Sequence, residues 1–338
     1  MSSTSVVILN YNGQKFLEQF LPSVIQHSRN YEIIVADNCS TDLSVSFIQE
    51  HYPDIQLIQI PENRGYSSGY NYALKQIHTE YYILLNSDVE VSKNWITPII
   101  ELMAKDPEIA AAQPKILSFH DRRKFEHAGA AGGFIDTLGY PFCRGRIFNT
   151  VENDNGQYDD EQTIFWATGA CLFIRSSVFH ELDGFDDDFF AHMEEIDLCW
   201  KINNIGLKTI YNPTSVVYHV GGGTLQKSNP KKTYLNFRNG LSLIYKNYST
   251  SDLIIKFPLR IVLDWVAAFQ MLSHSPRDFI SILRAHWDFI KLLPANTKKR
   301  IAHKKKKKNT RIIPQVLNKS IIWEYFIKKR SKFSDLHF

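Results

Sequence analysis

Short apolar runs alternate with stretches of helical spacing through the first ninety positions. Ser5 to Leu9 is a mostly β-branched run that stops at the turn cluster Asn10-Tyr11-Asn12-Gly13. From Gln14 to His27, the residues Phe16, Leu17, Phe20, Leu21, Val24 and Ile25 recur on one helical face. Tyr31 to Ala36 reads as a second strand and ends in Asp37-Asn38-Cys39-Ser40-Thr41-Asp42, where Ser40 or Thr41 is placed to cap a helix over Leu43 to His51. Ile55 to Ile60 is a third strand, the loop Pro61 to Gly65 follows, and Tyr66 to Ile77 is a helix. Tyr82 to Leu85 is too short for a helix and reads as a buried strand leaving into Asn86-Ser87-Asp88. Strands alternating with helices predict an α/β fold with a mainly parallel central sheet. The turn after the first strand, NYNGQKF, holds one glycine and so lacks the fingerprint of a dinucleotide-binding oxidoreductase. Further on, Cys171 to Arg175 and Ser215 to His219 are strand-like, whereas residues 119–163 lack periodicity and are expected to form loops.

Three places carry candidate chemistry. A carboxylate leaving a buried strand, as Asp88 does, sits where open α/β sheets bind ligands, and it can hold a hard divalent cation together with substrate phosphates. A plain turn is the alternative for Asn86-Ser87-Asp88. Within Phe185 to Trp200, the acidic residues Glu194, Glu195 and Asp197 stand among Phe189, Phe190, Ile196, Leu198 and Trp200. Carboxylates in such surroundings need partners or have raised pKa values, although acidic side chains also favour an ordinary helix N-terminus. His219, at the end of a strand-like run before Gly221-Gly222-Gly223, is either structural or a metal ligand.

The segments VVILNYNG, IIVADNCSTD, ENRGYSSGYNYAL, LLNSDVEV, TGACLFIR, GFDDDFFAHMEEIDLCWK and YHVGGGT, in this order, resemble family 2 glycosyltransferases of GT-A fold, most closely the bacterial rhamnosyltransferase-like branch. The resemblance spans roughly residues 4 to 225. It implies an inverting enzyme that moves a sugar from a nucleoside-diphosphate sugar to a hydroxyl of a glycan or lipid-linked glycan in surface polysaccharide assembly. It implies that Asn10, Asp37, Asn63, Arg64, Gly65, Asn86, Ser87 and Asp88 bind the donor, with Asp37 accepting a hydrogen bond from the base. Trp166, Thr168, Gly169, Glu194 and Asp197 would line the sugar and acceptor pocket. Asp88 and His219 would hold Mg²⁺ or Mn²⁺, and Glu195 would be the base that deprotonates the acceptor hydroxyl. Two positions depart from the family pattern: Asn86 stands for the first Asp of the metal motif, and Glu195 for an Asp. Those departures leave a catalytically silent nucleotide-sugar-binding or scaffold protein as the alternative.

Charge divides the chain. Residues 1–230 carry 16 Lys and Arg against 29 Asp and Glu, and residues 231–338 carry 23 against 6. The composition therefore suggests a catalytic domain over 1–232 and a basic, largely helical region over 233–338. In that region Leu259, Val262, Leu263, Val266 and Phe269 keep helical spacing near Trp265 and Trp287, while Lys256, Arg260 and Asp264 interrupt any apolar stretch long enough to span a bilayer. Eight cationic side chains fall between Lys298 and Lys308. Amphipathic helices with a polybasic run point to an anionic membrane surface, and a solvated tail is the alternative. No nucleic-acid motif accompanies the charge, so nucleic acid is not an expected partner. The four cysteines form no CxxC pair, and the N-terminus shows no secretory pattern. Reduced thiols are expected, and so is a cytoplasmic location, peripheral on the inner face of the cell membrane.

Overall fold

The computed structural model describes residues 3–221, 229–308 and 313–338. Gly222 and Gly223 of the triple glycine lie outside the described residues. Strands in chain order are β1 (Thr4–Asn10), β2 (Glu32–Asp37), β3 (Gln56–Gln59), β4 (Tyr81–Asn86), β5 (Val89–Val91), β6 (Ile109–Ser118), β7 (Gly133–Asp136), β8 (Pro141–Cys143), β9 (Arg146–Ile147), β10 (Thr150–Val151), β11 (Gln162–Ile164), β12 (Cys171–Arg175), β13 (Lys208–His219) and β14 (Val316–Leu317). Helices are α1 (Gln14–His27), α2 (Ser44–His51), α3 (Gly65–Leu74), α4 (Thr97–Lys105), α5 (Ser176–Glu181), α6 (Glu194–Asn204), α7 (Pro230–Asn247), α8 (Thr250–Leu272) and α9 (Pro276–Lys306).

The main sheet runs β11-β13-β6-β12-β4-β1-β2-β3, with β5 added beside β13. Parallel ladders join β3, β2, β1 and β4, and another joins β6 to β13, while β12 runs antiparallel between β4 and β6. The period-two pattern of a strand buried on both faces is plain in β4. Tyr82 and Leu84 enter one core with Val7, Ile34, Tyr70 and Leu172, and Tyr81, Ile83 and Leu85 enter the other with Val6, Ile8, Leu17 and Phe173. Each fully buried Leu or Ile contributes about 2 kcal/mol, so the register of β4 is held from both sides. A slip of one residue would exchange the two sets and misplace Asn86 at the strand's end. The predicted strands and helices of the first ninety residues agree with the structure to within a few residues. The cap before α2 differs. Asp42, rather than Ser40 or Thr41, accepts from Ser44 N at 3.0 Å and also from Gln14 N at 3.1 Å.

Residues 119–163 are not loops alone. They form most of a second sheet, β10-β9-β8-β7-β14, whose last strand comes from the C-terminus. Their periodicity is weak because the strands are two to four residues long. Turns with positive φ at Gly139, Gly145 and Phe148 separate β7, β8, β9 and β10. The basic C-terminal region packs on the α/β part. Lys246 of α7 is buried against Asp186 at 2.6 Å, Lys299 of α9 pairs with Asp186 and Asp188, and Phe333 packs tilted against Phe134. The cationic run between Lys298 and Lys308 is therefore no free tail. Lys299, Arg300, Lys304 and Lys306 are engaged with Asp186, the Tyr245 carbonyl, Thr250 and Asp183 respectively. Among the described residues, no helix is long and apolar enough to cross a membrane.

Candidate functional site

The carboxyl ends of β1, β2 and β4 lie side by side, because Asn10 is registered with Asp37 and Leu9 with Asn86. Asn10 donates through Nδ2 to Asp37 Oδ2 at 3.0 Å, and Ser40 N donates to Asp37 Oδ1 at 2.8 Å. Both side chains are buried, and Asn10 Oδ1 has no protein partner. Asp37 thus keeps one lone pair on each oxygen beside an unfilled acceptor, an arrangement able to receive further donors.

The segment from Asn63 to Gly65 is held by contacts within the chain. Asn63 Oδ1 accepts from Gly65 N and Asn38 Nδ2, at 2.9 and 3.1 Å. Gly65 has φ +89°, and a Cβ there would lie 2.3 Å from the Phe190 carbonyl. The close approach that demands glycine is therefore made by the protein's own chain. Arg64 is exposed and paired with Glu62 at 2.8 Å.

Past β4, Asn86 N donates to Ala170 O at 3.0 Å, which ties the Asn86-Ser87-Asp88 turn to the Thr168-Gly169-Ala170 turn. Val220 N donates to Asp88 O, so the end of β13 closes on the same turn. His219 Nε2 lies 3.2 Å from Asp88 Oδ1, and Nδ1 lies 3.1 Å from Glu126 Oε2. All three side chains are buried. Burial opposes a charge on His219, but the flanking carboxylates outweigh it and push its pKa up to about 10. Burial likewise opposes charge on Glu126, yet His219 and the Ala128 amide hold it down at about 2. Gly221 has φ +74°, and a Cβ there would meet Glu126 Oε1 at 2.5 Å. That explains the first glycine of the triple glycine.

A small divalent cation fits between Asp88 and His219 by displacing the proton that the flanking carboxylates keep on Nε2. Glu126 orients the imidazole from behind, the common carboxylate–histidine–metal arrangement. Among the described residues, no third His, Cys, Asp or Glu completes an enclosure. Such a cation must take its other ligands from water and substrate phosphate, as Mg²⁺ commonly does.

The second group sits at the start of α6. Glu194 and Glu195 each carry a buried oxygen without a hydrogen-bond partner. Burial, followed by the neighbouring Glu195 charge, raises the Glu194 pKa well above the usual range. Burial raises Glu195 to about 7, moderated by backbone amides that include Gly169. Gly169 O accepts from Tyr66 Oη at 2.8 Å, and a Cβ on Gly169 would stand at that same distance from the hydroxyl. Thr168 N donates to Gln113 Oε1, and Thr168 Oγ1 accepts from Ala170 N. The backbone leading into α6 is strained: Phe190, His192 and Met193 have φ of 65°, 71° and 74°. Left-handed conformations of this kind cost about 1–3 kcal/mol each and persist only where the surroundings enforce them. Enforcement comes from α7. Buried Asn239 Nδ2 is within 2.9 Å of the carbonyls of Phe189, Ala191 and His192, and Arg238 donates to those of Asp188 and Phe189.

The structure thus gathers Asn10, Asp37, Asn86, Ser87, Asp88, His219, Thr168, Gly169, Glu194 and Glu195 at one end of the main sheet. Two expected pocket residues are turned away. Trp166 is buried over Gly133, with Nε1 donating to Phe134 O at 2.9 Å. Asp197 is fully buried, accepts from Asn247 Nδ2 at 2.7 Å and lies 3.1 Å from Lys246 Nζ. It stands three positions after Glu194 and two after Glu195, so it projects from a different side of α6 than Glu195 does. Three residues not singled out from the sequence hold these groups in place: Glu126 against His219, Tyr66 against Gly169, and Asn239 against the backbone leading into α6. A broad cleft of 840 Å³ lined by His27, Arg29, Lys93 and Thr97 lies at the far end of α1 and holds none of these groups.

Comparison with known proteins places the chain in a family and identifies the fold. The sequence profile described as "Glycosyl transferase family 2" matches residues 5–183. The N-acetylglucosaminyl-diphospho-decaprenol L-rhamnosyltransferase of Mycobacterium tuberculosis is 26% identical over 230 residues, covering 63% of this chain and 75% of that protein. The rhamnosyltransferase WbbL of Escherichia coli K12 is 24% identical over 223 residues, covering 63% and 82%. Among solved structures, GalNAc-T7 with UDP, GalNAc and Mn²⁺ superposes with a TM-score of 0.59 at 18% identity, covering 97% of this chain and 56% of that one. The last likeness shows the GT-A fold.

Proposed function

The chain belongs to glycosyl transferase family 2, in its rhamnosyltransferase-like branch, and from this premise we propose how its residues carry out transfer. The enzyme is an inverting glycosyltransferase that uses a nucleoside-diphosphate sugar and a glycan or lipid-linked glycan hydroxyl in polysaccharide assembly. In the proposed reading Asn10 and Asp37 receive the donor's base, and the Asn86-Ser87-Asp88 turn faces its diphosphate. Asp88 and His219 would hold a divalent cation, Mn²⁺ or Mg²⁺. When bound it neutralises the leaving diphosphate as a Lewis acid. Glu195 accepts the acceptor hydroxyl's proton while that oxygen bonds the anomeric carbon and the bond to the diphosphate oxygen breaks. One displacement with inversion needs no covalent intermediate. Glu195 suits the role because its pKa near 7 leaves it both ionised at working pH and basic enough to take a proton. Glu194 stays protonated beside it, so the pair carries a single charge. A peripheral position on the inner face of the cell membrane would bring a lipid-linked acceptor within reach.

The observation that carries this reading is the pair of buried, unpartnered glutamate oxygens joined through Gly169 and Ala170 to the Asp88 turn. It is tested by following nucleoside diphosphate release from UDP-, dTDP- and GDP-sugars with Mn²⁺. Metal-dependent release that Asp88→Ala and Glu195→Gln both abolish is the expected result. Stabilisation by one donor without release would instead favour a silent binding protein.

A further inference from the structure

Helix α8 is amphipathic the wrong way round for a helix on the surface of a water-soluble protein. Its charged residues face the protein. Arg260 and Asp264 are 4% and 1% exposed, are paired at 2.9 Å, and are enclosed by Tyr140 and His286. The outward side is apolar: Ile255, Leu259, Val262, Val266 and Phe269 follow one another at spacings of four and three and are all exposed, Phe269 at 60%. Helix α9 packs along α8 and extends the same kind of surface with exposed Ile280, Trp287 and Ile290. Contiguous apolar area of this extent marks a site that something covers.

We propose that this α8–α9 face is a membrane-docking surface, which sinks into the headgroup and acyl boundary of an anionic leaflet and lies flat there. The inference deepens the reading of a transferase with a lipid-linked acceptor, and rests on it for its purpose. Three observations select lipid. First, the apolar side is too broad for a helix–helix seam, because Ile254 and Trp265 widen the stripe beyond the two positions per heptad that a coiled coil uses. Second, exposed Trp287 and part-exposed Trp265 are the residue type favoured at a membrane interface. Third, cations adjoin the face. Lys304 Nζ bonds Thr250 Oγ1 at 2.8 Å, so the lysine run lies beside the first turn of α8, and Lys305, Lys307 and Lys308 stay exposed there. Half of the run is held by the protein itself. Apolar insertion therefore dominates, with the exposed lysines adding attraction to anionic headgroups.

The test uses the full-length protein with sedimented vesicles of phosphatidylglycerol and phosphatidylethanolamine, and with vesicles of phosphatidylcholine alone. Wild type is expected to bind both, more tightly to the anionic mixture, and to stay bound at 0.5 M NaCl. Val262→Asp with Val266→Asp should weaken binding at least tenfold, with the melting temperature unchanged because both positions are exposed. Nucleoside diphosphate release measured without vesicles should also be unchanged in this variant, so loss of membrane binding is read separately from any failure of the catalytic reading. Three results would overturn the proposal: no wild-type binding to either vesicle, equal binding by the double variant, or a wild-type dimer in light scattering that the double variant dissolves. The last would assign the face to a second copy of the chain.

Discussion

Replacing Glu195 by Gln should abolish transfer and, unusually for an active-site change, make the protein more stable at alkaline pH. The sign follows from the direction of the shift. Burial raises the folded pKa from an ordinary 4.5 to about 7, so the fold disfavours the charged carboxylate. Below about pH 4.5 the residue is protonated in both folded and unfolded chains and costs nothing. The cost grows between about 4.5 and 7 and is complete above 7. A shift of that size corresponds to at most about 3.4 kcal/mol at 1.36 kcal/mol per unit. Glu195 is only part-buried, so solvent screening brings the expectation nearer 1–2 kcal/mol. For a chain of this length that is about 2 °C in Tm. The assay is thermal unfolding of wild type and Glu195→Gln at pH 5 and pH 8, with nucleoside diphosphate release followed in parallel. Gln should gain stability relative to wild type on going from pH 5 to pH 8. Wild-type kcat/KM should rise with pH to a plateau just above 7, because only the carboxylate accepts the proton. A stability difference that does not change with pH, or appreciable turnover by the Gln variant, would refute the assignment of Glu195 as the base.

Three further outcomes follow from the geometry. Glu126→Gln keeps the shape behind His219 but removes the charge that orients it, and should raise the Mn²⁺ concentration for half-maximal activity by about tenfold, the low end for such partners; a titration with metal after chelation measures it. Asn239→Ala takes the side-chain donor from the carbonyls of Ala191 and His192, weakens the hold on that of Phe189 and frees a strained turn, so it should cost about 2–4 kcal/mol in urea unfolding and lower kcat more than it raises the donor KM. Gly65→Ala places a methyl group against the Phe190 carbonyl at a positive φ and should destabilise by about 2 kcal/mol or more; equal stability of the Ala variant would show that the α3–Phe190 contact is loose.

The sheet and its edge were legible because strands buried on both faces leave continuous apolar runs, and because the polar residues that end them, Asn10, Asp37 and Asn86, register with neighbours once the strands align. The surroundings of Trp166 and Asp197 were not legible in the sequence, for one reason. Proximity in sequence to Thr168 or Glu195 says nothing about which face a side chain takes. On α6 the residue after Glu194 meets Gly169, while Asp197 meets Lys246 of a helix fifty residues away. Glu126 was hidden because it lies in a stretch without periodicity, and only the folding of residues 119–163 beside β13 brings it to His219. Asn239 was hidden because its work is done on backbone carbonyls, which leave no mark in the sequence of the segment they belong to. These two residues share a logic. The groups that meet the reactants stand at the ends of regular elements and can be read from pattern, whereas the groups that aim them come from distant segments. Glu126 sets the direction of an imidazole, and Asn239 sets the entry angle of α6 through three strained residues. A substitution at either should therefore degrade chemistry without touching substrate, and the two are separable. Loss at Glu126 should be recovered by excess metal, and loss at Asn239 should not.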